Sequence, residues 1–286
     1  MPSALVTGAS RGIGRSIAAH LATNGWNVFA GVRTDGDAEA TAAAHPVTPV
    51  ILDITNADHI AALDDSLPER LDAVVNNAGV IIPGPLEAAP AAELRSQFEV
   101  NVIGQIAVTQ AVLPRLRRAQ GRIVFLSSIT GRVAFPLIGG YCASKSAVEA
   151  AADVLRVELK RWNIAVAVIE VGATDTDMYR DRSAVMDDAL ARLSPEHRAL
   201  YEGHFTGMDD SSMSHMTAVP PERVAVIVAE ALTARRPRGR YFVGVGDRVQ
   251  LTLMAQLPTT VRDWLLRRAA NLPGYESSPV RANIPL

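Results

Sequence analysis

The run Thr7-Gly8-Ala9-Ser10-Arg11-Gly12-Ile13-Gly14 joins the apolar residues 4–6 to a helically spaced segment that begins near Ile13. Its placement constrains the fold more than the glycines do. A strand that turns through glycine into a helix N-terminus aims unpaired backbone N–H groups and the positive end of the helix dipole at one spot. A pyrophosphate fits that spot. A glycine-rich turn alone is a weak signal, and the rest of the chain decides its weight.

Seven short β-rich apolar runs recur, at residues 4–7, 28–32, 50–52, 73–75, 123–127, 164–170 and 241–243. Helically spaced segments lie between them at 13–24, 57–65, 91–118, 143–162 and 221–234. The strands are continuous in apolar residues rather than alternating, as strands covered on both faces are. The pattern predicts an α/β fold: a doubly wound, mostly parallel seven-stranded Rossmann sheet with helices on both faces and a C-terminal helical extension. No internal repeat or low-complexity linker divides residues 1–286, which read as a single domain.

Composition narrows the function classes. A hydrophobic content of 48% with 20% charged residues allows a large core. The net charge of −2, with no basic arm or stripe, argues against a nucleic-acid partner. No apolar stretch reaches membrane-spanning length, and no signal-like segment precedes the first strand. Cys142 is the one cysteine, so an internal disulfide is excluded. The expected location is the cytoplasm. The six histidines form no ligand motif, and no metal is expected.

Two stretches leave the alternation. Residues 177–220 hold five of the seven methionines, Met178, Met186, Met208, Met213 and Met216, which suit an adaptable apolar pocket or ordinary packing equally well. From about residue 247 the tail carries Val249, Leu251, Leu253 and Met254. A helix opened by Pro258 follows, with Val261, Trp264 and Leu265 on one side. Covering the cleft, contacting a subunit and resting on a membrane are all open to this tail; packing within the molecule is the preferred reading.

Ser127-Ser128 ends one strand, and Tyr141 and Lys145 follow four residues apart at the start of a helix, on one face. An ammonium near a phenol favours the phenolate and lowers its pKa, which a tyrosine needs in order to exchange protons with an alcohol or carbonyl. Ser128 can donate a hydrogen bond to the substrate oxygen as charge grows on it. Such a Tyr/Lys pair alone also describes a solvated helix face. Together with the glycine turn and the serine, chance becomes a poor explanation.

With these residues in place, the chain resembles the short-chain dehydrogenases/reductases of the single-domain Rossmann type. The glycine turn matches residues 7–14, and the family's Asn-Asn-Ala-Gly signature stands at Asn76-Asn77-Ala78-Gly79. The active-site asparagine matches Asn101, the serine Ser128, and the Tyr-x-x-x-Lys pair Tyr141 and Lys145. The resemblance runs from about residue 4 to 244. It implies one dinucleotide-binding catalytic domain in which Tyr141 is the general acid/base. Lys145 would lower the phenol's pKa and hydrogen-bond the nicotinamide ribose. Ser128 would polarise the carbonyl, and Asn101 would hold a water linking Lys145 to solvent. Gly8, Ser10, Arg11, Gly12, Ile13 and Gly14 would cradle the cofactor. Asp53 and Ile54 would lie at the adenine, and Asn77, Ala78 and Gly79 would line the cofactor beside the sheet. Asp53 could instead cap the next helix, and the asparagines could pair strand backbones. Where the family has Pro-Gly after the sixth strand, this chain reads Val171-Gly172, which predicts a slightly looser turn before the cofactor contacts Thr174 and Thr176.

NAD-preferring sites place an acid at the end of the second strand. Here that strand ends Gly31-Val32-Arg33, so Arg33 and Arg11 could converge on a 2′-phosphate, and NADP(H) is expected rather than NAD(H). Two solvated surface arginines are the plain alternative. The stretch from Ile129 to Leu137 carries one charge, Arg132, which together with the methionines suggests an apolar pocket. A weaker likeness to hydroxysteroid and retinol dehydrogenases, in residues 28–33 and the basic C-terminal helix, points the same way. The substrate expected is a small apolar alcohol or carbonyl compound, steroid-, retinoid- or lipid-like. The resemblance also implies a homodimer or homotetramer. Two other readings stay open: an NADP(H)-binding regulatory protein without turnover, and a scaffold that uses the fold for association.

Overall fold

The computed structural model describes residues 1–211, 217–243 and 252–274. The strands are β1 (Ser3–Thr7), β2 (Asn27–Val32), β3 (Thr48–Ile51), β4 (Ala73–Asn76), β5 (Arg122–Ser128), β6 (Ala165–Val171) and β7 (Arg240–Phe242). They form one sheet in the order β3-β2-β1-β4-β5-β6-β7. Every pairing is parallel. The order reverses between β1 and β4, and beyond such a point the strand ends open into a crevice between diverging connections.

Helices cover both faces. On one side α1 (Gly12–Thr23) lies with α11 (Pro221–Thr233), and Ile17, Leu21, Val224 and Val228 close over Val6, Val75 and Ile169. On the other, α6 (Gln105–Ala119) and α7 (Gly139–Glu158) bring Val108, Val112, Leu116, Val148 and Ala152 onto Leu5, Val74 and Phe125. Both layers are mainly apolar at the sheet, which is why the strands read as apolar runs.

Several elements depart from expectation. The helix expected over 91–118 is three pieces: α5 (Ala91–Phe98), a π-helical segment Glu99–Gly104, and α6. A side chain on Gly104 would sit 2.5 Å from the Ile54 carbonyl oxygen, so the helix is pressed onto the β3 connection there. Such single π-helical turns inside α-helices are rare and frequently mark functional sites. The α7 helix starts at Gly139 rather than 143, putting Tyr141 inside its first turn. An unforeseen helix, α2 (Asp35–Ala44), is opened by Thr34, whose hydroxyl accepts from the Asp37 N–H. It buries Thr41 alone, so periodicity does not mark it. Short α3 (Ala57–Ala61) and α4 (Leu63–Ser66) follow β3. Residues 177–209 form α8 (Asp177–Arg180), α9 (Arg182–Ala191) and α10 (Pro195–Asp209). Of the methionines there, Met178 is exposed, while Met186 and Met208 join Phe205 and Ala189 around Leu137. Met213 and Met216 lie outside the described residues, as do Val249 and Leu251. In the C-terminal helix α12 (Thr259–Ala269), Val261 and Trp264 face outward; Leu266, with Met254 and Ala255, packs on Ile129, Val133 and Phe135. The tail is therefore fixed to the loop after β5 by a different face from the one expected.

Candidate active site

The glycine turn is a locked backbone knot. Gly8 and Gly12 hold φ of +64° and +54°, where a side chain is strained. A Cβ on Gly14 would stand 2.1 Å from the Gly8 carbonyl oxygen and 2.4 Å from Asn77 Nδ2. The knot is tied to β4: Asn77 Nδ2 donates to the Thr7 and Gly8 carbonyls at 2.9 and 3.1 Å, and Thr7 Oγ1 accepts the Asn77 and Ala78 N–H groups at 3.0 Å each. Asn77 thus shapes the turn through its amide nitrogen. The N-cap residue of α1, Arg11, makes no side-chain cap bond, and the first turn carries no acid. Its N–H groups and dipole therefore face outward uncountered, with Ser10 and Ile13 half-buried beside them. These residues fit a pyrophosphate.

Arg33 and Arg11 are both exposed at this end. Asp53 is turned onto its own chain: Oδ1 accepts from the Thr55 N–H at 2.9 Å and the Thr55 hydroxyl at 2.7 Å. These bonds and the nearby Arg33 hold its carboxyl below the ordinary value despite partial burial. It does not cap α3. Asn56 does, accepting from Asp58 and His59. Ile54 is buried in the sheet-side core.

The loop after β4 is stitched to the helix beside it by three buried amides one turn apart. Gln97 Oε1 accepts from Ile82 N at 2.6 Å. Asn101 accepts from Val80 N and donates to Val80 O, both at 2.8 Å. Gln105 Nε2 donates to Ala78 O at 2.7 Å. Alternate residues of an extended loop thus meet every fourth residue of a helix. Asn101 also donates to Ser144 Oγ at 3.0 Å. Both Nδ2 hydrogens of Asn101 are thus used by Val80 O and Ser144 Oγ, and its Oδ1 lies on the Gly79 side that Lys145 Nζ also faces. The signal sequence reading missed is the polar spacing 97, 101, 105 within an otherwise amphipathic stretch.

Ser128, Tyr141 and Lys145 are brought together where β5 meets α7. The Ser128 hydroxyl accepts from the Thr130 N–H at 3.2 Å, closing the turn Ile129–Gly131. Lys145 is 4% exposed, and its Nζ donates to the Leu126 carbonyl at 2.8 Å. A side chain on Gly79 would lie 3.7 Å from that Nζ and 3.3 Å from Asn101 Oδ1. Lys145 Nζ stands 5.7 Å from the centroid of the Tyr141 ring. Burial pushes Lys145 down to about 8, opposed by Glu149. Burial also pushes Tyr141 up to about 12, partly offset by its bond to Ser128. In this arrangement the ammonium bonds a carbonyl, and desolvation outweighs the groups that lower the phenol. Cys142 is buried, and burial raises its thiol, which suits a packed residue rather than a nucleophile.

Thr174 is buried and its segment pairs with Val219. Thr176 packs its methyl against Gly12, 3.3 Å from where a Cβ would be, so the loop after β6 touches the glycine turn. Val171 is the last residue of β6, in register with Ser128. Leu137 holds φ of +62°, accepts the Gly84 N–H at 2.7 Å, and buries its side chain under α9 and α10.

A family profile described as short chain dehydrogenase matches residues 2–187. The chain belongs to the short-chain dehydrogenase family. It is an NAD(P)-dependent oxidoreductase acting on alcohol/carbonyl substrates. It is similar to 17-beta-hydroxysteroid dehydrogenase type 6 of Homo sapiens, at 32% identity covering 92% of this chain and 87% of the relative. It is also similar to an NADPH-dependent 3-dehydrocapnine reductase of Ornithobacterium rhinotracheale, at 32% identity over 92% and 95%. A crystal structure of a short chain dehydrogenase from Burkholderia cenocepacia in complex with NADP superimposes with a TM-score of 0.73, at 26% identity over 93% of this chain and 97% of that one. Among the described residues, no helix of this dehydrogenase is long and apolar enough to cross a membrane.

Proposed function

We propose that this short-chain dehydrogenase uses NADP(H) to interconvert an apolar alcohol and its carbonyl, with Tyr141 as general acid/base. The observation that carries the reading is the convergence of Ser128, Tyr141 and Lys145 at the end of β5, beside the loop that Asn77 ties to the glycine turn. When bound, the reduced nicotinamide supplies hydride. The protein's own residues manage the proton. At neutral pH a phenol held near 12 is protonated, the form that donates to a carbonyl oxygen. Ser128 donates a hydrogen bond to the same oxygen as negative charge gathers there. The Lys145 charge, buried beside the phenol, offsets the phenolate left behind.

NADP(H) over NAD(H) is supported by exposed Arg33 and Arg11 at the adenine end, by the NADPH-dependent relative, and by the neighbour holding NADP. Gly8 to Gly14, with Asn77, Ala78, Gly79, Thr174 and Thr176, form the cofactor wall in this reading; Asp53 and Ile54 contribute at the adenine end. An apolar substrate is supported by the hydroxysteroid relative. Exposed Val154 and Val157 on α7 support a homodimer or homotetramer. A cytoplasmic location belongs to the same proposal and rests on the single, buried cysteine.

The test is a panel of a steroid ketone, all-trans-retinal and aromatic aldehydes, followed through the absorbance of the reduced nicotinamide with NADPH and with NADH. Tyr141→Phe should abolish turnover and leave NADPH binding, read by fluorescence, within about twofold. A Tyr141→Phe protein that still turns over would refute the assignment. Binding of NADPH by wild type without turnover of any compound would favour the regulatory reading.

A further inference from the structure

Behind Ser128 lies a group of charges that the reaction above does not use. Glu149, one turn beyond Lys145 on α7, is 5% exposed. Its Oε1 accepts the Ser127 hydroxyl at 2.8 Å, and its Oε2 pairs with Arg240 Nη1. Arg240 reaches in from β7 and also contacts Glu170 Oε1 at 3.1 Å and Asp153 Oδ2 at 2.8 Å. Glu170, on β6, has no exposure, and its other oxygen lies 3.7 Å from Arg132. Asp153 is shared with Arg156 at 2.7 Å. The turn after Ser128 rests directly on this group. A side chain on Gly131 would stand 2.6 Å from Glu149 Oε1 and 2.9 Å from Ser127 Oγ.

Burying paired charges is a weak way to stabilise a fold, since an apolar cluster of the same volume does as well or better. Nor is Lys145 before Glu149 the order that favours an exposed i,i+4 pair. The cluster's position explains it better. Its one bond toward the reacting groups is the Ser127 hydroxyl, the neighbour of Ser128, and its nearest cation outside the cluster on α7 is Lys145.

We propose that Glu149 is a positioning residue of the oxidoreductase site. Through Ser127 it fixes the strand end that carries Ser128, through its charge it steadies the ammonium of Lys145, and Arg240 holds its carboxylate in place. This rests on the Ser128/Tyr141/Lys145 reading above. The groups facing Glu149 are Ser127 from β5, Glu170 from β6, Arg240 from β7, Arg132 from the following loop and Asp153 from its own helix. Those facing Lys145 are the Leu126 carbonyl, the Asn101 amide beyond Gly79, Tyr141 and Glu149.

The chain has two lysines, Lys145 and Lys160, so lysine labelled at the ε-carbon gives two resonances, with exposed Lys160 as an internal reference. In Glu149→Gln, loss of a negative charge makes the ammonium easier to deprotonate. The Lys145 midpoint should fall by about half a pH unit or more. The kcat for the panel compound reduced fastest should drop roughly tenfold with the NADPH KM within about twofold, and the limb of the pH profile set by Lys145 should move the same way. Ser127→Ala, which keeps the charge, should lower kcat without moving the Lys145 midpoint. An unchanged midpoint together with an unchanged kcat in Glu149→Gln overturns the proposal. If that variant does not fold, full kcat in Ser127→Ala overturns it. Turnover surviving in Tyr141→Phe would instead fault the underlying assignment, and the Lys145 titration would still decide the role of Glu149.

Discussion

Gly14 and Gly36 are both glycines inside helices, and the same substitution at each should act with opposite sign. At Gly36, in α2, an added Cβ meets nothing within 4 Å. Alanine there reduces the freedom of the unfolded chain and should stabilise by about 0.4–1 kcal/mol. At Gly14 the same gain is overwhelmed. The Cβ would lie 2.1 Å from the Gly8 oxygen, more than roughly 1 Å inside van der Waals contact, and 2.4 Å from Asn77 Nδ2. Both neighbours are backbone or locked by bonds to it, so overpacking costs about 1–3 kcal/mol. Displacing the Asn77 amide from the Thr7 and Gly8 carbonyls adds about 1 kcal/mol for each bond lost. The net is a loss of about 2–4 kcal/mol, a large part of the roughly 5–15 kcal/mol that holds a domain together. Urea denaturation of wild type, Gly14→Ala and Gly36→Ala measures this directly, and NADPH titration by fluorescence shows whether the turn still binds. A Gly14→Ala protein as stable as wild type, with NADPH affinity within twofold, would refute the idea that the close approach of α1 to Gly8 and Asn77 builds the cofactor turn.

Other outcomes are expected. Arg33→Ala should lower the NADPH-over-NADH preference in kcat/KM about ten- to hundredfold, the worth of one charge-assisted bond of about 1.5–3 kcal/mol; initial rates with both cofactors check it. Lys145 titrates near 8 in the folded protein against an ordinary 10.5, so the unfolded chain binds the extra proton between these values and the stability it contributes should rise across that window. Tyr141, raised from 10 to about 12, should act in the opposite direction above pH 10, because the folded protein then holds the extra proton. Denaturation of wild type and Lys145→Met across that range should show the gap between the two closing as pH rises to about 10.5. Cys142, the one cysteine, should resist a disulfide reagent in the native protein and react on unfolding in urea; rapid labelling without denaturant would contradict its burial.

The fold was legible because its strands are apolar on both faces and its main helices carry long apolar stripes. Where a helix packs weakly, as α2 does with Thr41 alone buried, the capping Thr34 was the better signal, and periodicity passed over it. The break at Glu99–Gly104 left no periodic signal either; there the helix lies against Ile54, a residue some fifty positions away, with no room for a side chain at Gly104. The convergence of Ser128, Tyr141 and Lys145 could be read from spacing along α7 and the end of β5. The proton affinities could not, because they follow from burial and from the partner that Lys145 finds in Leu126. The backbone partners of the Asn77 and Asn101 amides were not legible either, because they depend on which strand ends lie side by side. The Glu149 cluster was invisible because its members come from α7, β6 and β7 and meet only once the sheet has formed.

The amide rungs at Gln97, Asn101 and Gln105 have a consequence for how such a cleft can change. Each rung ties one register to another, so a residue inserted anywhere between Ala78 and Ile82, or between Gln97 and Gln105, would unseat the rungs beyond it. That rim can be altered by replacement but not by lengthening. The opposite rim, α9 and α10, is held to it through side chains such as Arg192 on Glu93 and Tyr201 on Glu87. Growth and shrinkage of the binding space are thereby confined to one bank, and the other serves as the ruler.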